Sequence, residues 1–340
     1  MKAIFLTQYG SADKAFELRE TPEPEIKDRQ VLLAVEGFGL NFADVMARNG
    51  LYREAPPLPC ILGYEVVGRV EKTGADVDAS WLGKRVLAFT RFGGYAEKVA
   101  TDHRGIVPIP DEMDIDRATT LGTQYATAYY AIMHCRELLP GDTVLVHAAA
   151  GGVGLALVQL AKHMGCKVVA TAGSDEKTAF LQQQGVDHAI NYRKTDYASA
   201  AAKWLNGTRL SATFNALAGN TIKKDYGLLG SGGTLVCFGA ATRMGSKGGA
   251  FANLKLLLQT GFYSPLFMMM KSKSVVGVNM LKLADNRPDV VQHCLNRVMD
   301  LYKQGAIDPV AGQTFPTSEI ARAHDSLESR SSIGKVAVRW

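Results

Sequence analysis

The chain has 340 residues, 47% hydrophobic and 21% charged, with a formal net charge of +5. That is too long for one ordinary core, so two domains are expected, and the composition excludes a disordered or fibrous chain. The mild charge is spread along the chain, which argues against a dedicated nucleic-acid surface; no signal pattern or bilayer-spanning run of about 18 apolar residues is seen, so a cytoplasmic protein is expected.

Up to about Gly122 the chain is strand-rich and punctuated by proline and glycine, with strands expected over 2–6, 31–39, 64–72, 85–89 and 95–100. From 143 onward strands and helices alternate. The strands fall at 143–147, 167–171, 189–191, 212–216, 234–238 and 275–278, which implies a parallel doubly wound sheet. The segment 242–274 is longer than an ordinary connection and rich in methionine. Four readings stand for it: a substrate mouth, a dimer interface, a peripheral membrane contact, or a helix pair buried on the sheet. A long amphipathic helix over about 287–303 follows, then a strand–helix–strand tail ending at 336–338. The tail has no obvious place in the parallel sheet and is expected to complete the N-terminal domain. The expected fold is thus α/β, with 1–122 and 280–340 in one domain and 123–279 in the other. Cys60, Cys135, Cys166, Cys237 and Cys294 are odd in number and form no C-x-x-C pair, so free thiols are expected.

The most informative stretch runs from Thr143 to Lys162: an apolar strand, the turn Ala148-Ala149-Ala150-Gly151-Gly152-Val153-Gly154, then a helix with apolar residues at 153, 157, 158 and 160. Glycine lets the backbone approach a pyrophosphate, and a helix N-terminus offers it unpaired N–H groups. Ala149 replaces the first glycine of the usual G-x-G-x-x-G, while Gly151 and Gly154 keep the spacing. The plainer alternative is a tight turn in an ordinary α/β sheet. The next strand ends at Ala172, where NAD-specific folds place an acid for the ribose 2′-OH. Its absence admits a 2′-phosphate, and Lys177 is available to pair with one, so NADPH is expected over NADH. Ser174 also reads as the N-cap of the following helix, and both roles are compatible.

These residues carry a family resemblance. Gly39-Leu40-Asn41-Phe42-Ala43-Asp44, Gly50-Leu51-Tyr52, Leu62-Gly63-Tyr64-Glu65, the glycine turn and Asn191-Tyr192-Arg193 resemble the quinone oxidoreductase branch, zeta-crystallin included, of the medium-chain dehydrogenase/reductase superfamily. Within it, the run from Asn41 to Tyr52, the 242–274 insertion and Leu301-Tyr302-Lys303-Gln304-Gly305 look most like the vesicle amine transport protein homologues. The resemblance covers essentially the whole chain. It implies a Rossmann domain plus a strand-rich GroES-like domain, and a homodimer. Where the superfamily's zinc enzymes have Gly-His-Glu, this chain has Gly63-Tyr64-Glu65, and the cysteine ligand near Asn41–Asp44 is missing, so no metal is expected. Without a Lewis acid, acceptors that leave a phenol-like anion (pKa roughly 10) or a delocalised enolate are favoured over aldehydes and alcohols.

By the same resemblance, Gly151, Gly152, Val153 and Gly154 hold the pyrophosphate. Gly173, Ser174, Lys177 and Tyr192 surround the 2′-phosphate and adenosine, and Gly219, Phe238, Gly239, Ala240, Val278, Asn279 and Met280 line the nicotinamide half. Asn41 and Tyr52 lie near the nicotinamide ring and substrate, and Tyr64 is the candidate donor to the developing oxyanion. For both tyrosines aromatic packing is the competing role, and for Asp44 helix capping is favoured. His147 is read as a core residue. The expected function is zinc-independent, NADPH-dependent reduction of a small-molecule quinone. The alternatives are reduction of an enone or enal double bond, or a cofactor-binding, vesicle- or membrane-associated protein with little catalysis.

Overall fold

Residues 30–40 are buried almost without interruption, more than a half-solvated strand requires. The reason lies in the topology: this segment is the middle of a seven-stranded sheet, with partners on both sides. The structure, a computed structural model, describes residues 1–242 and 258–340. Its internal contacts divide the chain into two units, Met1–Ala126 with Met280–Trp340, and Thr127–Asn279.

The first unit contains β1 (Lys2–Leu6), β2 (Phe16–Glu20), β3 (Gln30–Leu40), β4 (Cys60–Ile61), β5 (Glu65–Thr73), β6 (Arg85–Phe89), β7 (Lys98–Asp102) and β8 (Ile106–Pro108). The strand expected over 95–100 begins only at Lys98. Tyr95 instead bonds beside the three-stranded sheet β2-β1-β4, its N–H donating to Leu62 O just after β4 and its carbonyl accepting from Ile4 N of β1. Strand β2 gave no apolar alternation because four of its five residues are exposed at an edge.

The second unit holds β9 (Thr143–Val146), β10 (Lys167–Ala172), β11 (His188–Asn191), β12 (Leu210–Asn215), β13 (Leu229–Cys237) and β14 (Ser274–Gly277), all parallel, in the order β11-β10-β9-β12-β13-β14. Helices Gly152–His163, Asp175–Gln183, Tyr197–Leu205 and Asn220–Leu228 connect the strands. The order reverses between β9 and β12, and in open α/β sheets ligands bind outside the carboxyl ends at such a switch point.

The tail supplies β15 (Ala311–Pro316) and β16 (Lys335–Arg339). β16 pairs antiparallel with β3, Val336 opposite Leu40 and Val338 opposite Phe38, and β15 pairs with β16. The tail therefore completes the first unit's sheet, burying Val336, Ala337 and Val338 in its core. The long tail helix spans Pro288–Lys303. Residues 243–257 of the methionine-rich connection lie outside the described residues. Among those described, no helix is long and apolar enough to cross a membrane.

Candidate active site

In the second unit the chain leaves β9 through His147 and Ala148, which takes a positive φ of 49°. Gly151 then caps a helix whose first turn, Gly152-Val153-Gly154, begins at the carboxyl end of the central strand. A side chain at Gly154 would place Cβ 2.4 Å from Ala148 O and 2.6 Å from Ala149 Cα, so only glycine lets the helix start this close to the strand. The N–H groups of that first turn have no intrahelical acceptors and point where an anion would sit. A pyrophosphate fits this cradle.

At the end of β10 a basic corner forms around Gly173. A Cβ there would lie 2.8 Å from Tyr192 Oη and 3.5 Å from Arg193 Nε, so both side chains crowd over the glycine. Ser174 Oγ accepts from Lys177 N at 3.3 Å and caps the helix carrying Lys177. Burial, and then the nearby Arg193 cation, pushes the Lys177 ammonium down. Two cations this close, with no carboxylate paired to Arg193 among the described residues, suit a doubly charged anion. Of the two acids in that helix's first turn, Asp175 is taken by Lys194 and by Asn191 Nδ2 at 2.8 Å, and Glu176 offsets part of the downward push on Lys177. Arg193 had no expected role, although its sequence signal, a second cationic side chain directly after Tyr192, was present.

The loops after β12, β13 and β14 lie side by side. Phe238 N donates to Asn215 O at 3.0 Å, and Val278 N to Cys237 O at 2.8 Å. Gly239 packs so closely on Ala216 that a Cβ would meet its carbonyl at 2.7 Å. Gly219, with φ 65° and ψ −140°, caps the helix Asn220–Leu228 in a conformation that favours glycine. Its loop is held from below: Asn215 Oδ1 accepts from Leu217 N and Ala218 N, and Asn215 Nδ2 donates to Asp225 at 2.6 Å. Asp225, wholly buried, is also within hydrogen-bond distance of His147 Nε2 (2.9 Å) and accepts from Tyr197 Oη (2.8 Å). His147 is thus a core residue serving a polar network that sequence reasoning did not foresee. Phe238, Gly239 and Ala240 follow β13, Val278 and Asn279 follow β14, and Met280 opens the helix Met280–Asn286 of the first unit.

In the first unit Tyr64 stands at the entrance to β5, 3% exposed. Its ring meets Tyr52 edge-on at 6.2 Å and Phe92 at 5.1 Å. The Tyr64 hydroxyl is buried and has no hydrogen-bond partner among the described residues. Burial, reinforced by Asp44 and Tyr52, holds its pKa far above the usual phenol value, so the proton stays on. Tyr52 is half-buried and pushed up to about 12 by burial and then by Glu54. The site therefore offers one neutral O–H donor with nothing yet to donate to.

Asn41 faces other partners. Its Nδ2 donates to Glu65 Oε1 at 2.9 Å and its Oδ1 accepts from Lys335 Nζ at 3.0 Å. Lys335 and Glu65 form an ion pair with both side chains fully buried, and Glu65 also accepts from Thr123 N. The pair needs room that only glycine leaves: a Cβ at Gly39 would lie 2.3 Å from Lys335 Cε, and one at Gly122 2.3 Å from Glu65 Oε2. Asp44 accepts from Asn41 N at 2.7 Å and Gly63 N at 3.3 Å, and burial raises its carboxyl to about 7. Lys335 was not anticipated, since nothing local in the tail marks it. Among the described residues no cluster of three or more His, Cys, Asp or Glu side chains could hold a metal ion.

A family model described as zinc-binding dehydrogenase matches residues 152–298, and one described as alcohol dehydrogenase GroES-like domain matches 27–111. The chain is 34% identical over 336 residues to the synaptic vesicle membrane protein VAT-1 homolog of Danio rerio, covering 98% of this chain and 69% of that one. Among solved structures, the quinone oxidoreductase from Thermus thermophilus, also solved in complex with NADPH, superposes with a TM-score of 0.80 at 32% identity, covering all of both chains. CurK enoyl reductase gives a TM-score of 0.85 at 26% identity over 99% of this chain and 98% of that one. With its parallel Rossmann sheet, its GroES-like unit and relatives that match nearly all of its length, the chain belongs to the medium-chain dehydrogenase/reductase superfamily, among the VAT-1 homologues and quinone oxidoreductases.

Proposed function

We propose that this member of an oxidoreductase superfamily uses NADPH to reduce a small-molecule quinone, with Tyr64 as the donor to the acceptor oxygen. The observation that carries the reading is the Tyr64 hydroxyl, buried, protonated and unpartnered. Bound, the nicotinamide supplies a hydride; everything else is work for this chain's own residues. The N–H groups around Gly151, Gly152, Val153 and Gly154 bind the pyrophosphate, and Ser174, Lys177, Tyr192 and Arg193 around Gly173 bind the 2′-phosphate. Gly219, Phe238, Gly239, Ala240, Val278, Asn279 and Met280 line the nicotinamide half. Tyr64 donates its Oη–H to the oxygen on which negative charge develops. An anion with a phenol-like pKa of roughly 10 needs no stronger acid than one oriented hydroxyl in a dry site. Tyr52 and Phe92 keep that hydroxyl dry, while Asn41 is held in place by Glu65 and Lys335 beside the substrate.

The likeness to an enoyl reductase favours a second reading, reduction of an enone or enal double bond, in which the same hydroxyl meets an enolate oxygen. Steady-state NADPH oxidation with a quinone and an enone in parallel, and NADH as control, tests both. Rapid NADPH-selective turnover of the quinone supports the first reading, and turnover of the enone alone replaces it with the second. Tight NADPH binding without turnover of either rejects both in favour of a binding protein. The resemblance also carries a homodimer, which sedimentation equilibrium checks.

A further inference from the structure

The loop after β12 carries two consecutive residues with a left-handed backbone. Ala218 and Gly219 both take a φ of 65°, which glycine adopts freely and alanine does not. A strained conformation of this kind persists only where its surroundings fix it. Here the fixing group is Asn215, the last residue of β12. Its Oδ1 accepts from Leu217 N at 2.8 Å and from Ala218 N at 2.9 Å.

An amide has nearly the same shape turned end for end, so some other group must decide which end of Asn215 meets the loop. Asp225 does this. A carboxylate only accepts, so Asn215 can face it only with Nδ2, which donates to Asp225 Oδ2 at 2.6 Å. The same Nδ2 donates to Thr221 Oγ1 at 2.9 Å, and that hydroxyl donates to Ala218 O at 2.9 Å. Oδ1 is left aimed at the loop. Turned round, it would face the carboxylate while Nδ2 faced two N–H donors.

Asp225 is itself fixed from three sides. His147 Nε2 lies 2.9 Å and 3.0 Å from its two oxygens, and Tyr197 Oη donates to it at 2.8 Å. Burial, and then Asp225 beside it, holds the proton on the Tyr197 hydroxyl. His147 Nδ1 lies 3.1 Å from Thr171 Oγ1, a hydroxyl able to donate to it, which leaves the Nε2 proton for Asp225. His147, Thr171, Asn215 and Asp225 are each at most 1% exposed, so water cannot replace a lost partner cheaply. The carboxylate is thus placed by the ends of β9 and β10 and by the helix Tyr197–Leu205, and it hands that placement to the loop after β12.

We propose that Asp225 is the positioning residue for the nicotinamide half of the cofactor: by orienting the Asn215 amide it sets the loop Leu217–Gly219 against which the ring lies. The proposal rests on the reading that this loop lines the nicotinamide half. Asp225 is buried in the helix Asn220–Leu228 and acts on the ring through Asn215. The 2′-phosphate corner is built elsewhere, at the ends of β10 and β11, with β9 between them and β12 in the sheet. The two halves of the cofactor therefore depend on different residues, and a fault in the network should reach one half and spare the other.

The test compares, by calorimetry on the full chain, binding of NADPH with binding of 2′,5′-ADP, which has the adenosine and 2′-phosphate but no nicotinamide. Asp225→Asn turns an N–H toward the donors and lets the Asn215 amide rotate. That variant and Asn215→Ala should each weaken NADPH binding by roughly tenfold and keep 2′,5′-ADP binding within about twofold. Each should also lower kcat by roughly tenfold to a hundredfold, the cost of a misplaced ring. The double variant should lose no more than either single one, because both act through one amide. Asn215→Ala supplies the two affinities should Asp225→Asn not fold, and hydrogen exchange on the parent should find the Leu217 and Ala218 amides protected. Equal loss of both ligands, an unchanged NADPH affinity, losses that add in the double variant, or fast exchange at both amides overturns the proposal. A parent that turns over no acceptor rejects the reductase reading instead, while the two affinities, which need no turnover, still decide the role of Asp225.

Discussion

Tyr64→Phe removes a single oxygen and keeps the ring that packs on Tyr52 and Phe92. In the free protein that oxygen is buried without a partner, and such a group costs about 1–3 kcal/mol relative to water. Its removal should leave the first unit unchanged or more stable by about 1–2 kcal/mol. For a unit of this size that raises the thermal midpoint by roughly 2–4 °C per kcal/mol. Catalysis should move the opposite way. Removing one donor aimed at a developing oxyanion lowers kcat by about 10²–10³, or roughly 2.7–4 kcal/mol of transition-state stabilisation. Thermal unfolding and steady-state kinetics with the acceptor that is turned over measure the two quantities on the same preparation. The opposite signs are diagnostic, because a tyrosine whose hydroxyl merely packs with a satisfied partner loses stability and keeps its rate. A Tyr64→Phe protein that is less stable and equally active refutes the donor role.

Lys177→Ala and Arg193→Ala should each raise KM for NADPH by roughly tenfold or more and leave that for NADH nearly unchanged; equal effects on both cofactors sink the 2′-phosphate assignment. Lys335→Met leaves Glu65 without its cation in a site where both side chains are fully buried, and should cost about 3–5 kcal/mol in urea unfolding. Adding Glu65→Gln should recover much of that loss, whereas a single-variant loss under about 1 kcal/mol argues against the pair. Burial holds Asp44 at about 7 against an ordinary 3.8, so between these values the folded chain keeps a proton that the unfolded chain releases. Stability should therefore fall as pH rises from about 4 to about 7, by up to roughly 1.4 kcal/mol per unit. Asp44→Asn should flatten that slope, and an unaltered slope assigns it to another group.

Some of this molecule was legible in the sequence because its signals are local. The turn from Ala148 to Gly154 needs a strand before it, a helix after it and small residues between, all within one short stretch, so pattern alone exposes it. The parallel strands of the second unit, buried on both faces, likewise read as short apolar runs. The corner around Gly173 was half legible. Ser174, Lys177 and Tyr192 could be named, but only the fold of β10 against β11 brings Arg193 over the same glycine.

What the tertiary structure alone decided are the partners of buried polar groups, because burial removes the local rule by which a charge stays solvated and leaves pairing to whatever the fold delivers. Glu65 meets a lysine 270 residues away, and His147 meets an aspartate 78 residues away; neither spacing has a sequence signature. The same holds for an absence. No pattern in Gly63-Tyr64-Glu65 distinguishes a tyrosine with a satisfied hydroxyl from one with none. Only the packing of Tyr52, Phe92 and the neighbouring strands around Tyr64 shows a buried hydroxyl with no hydrogen-bond partner among the described residues.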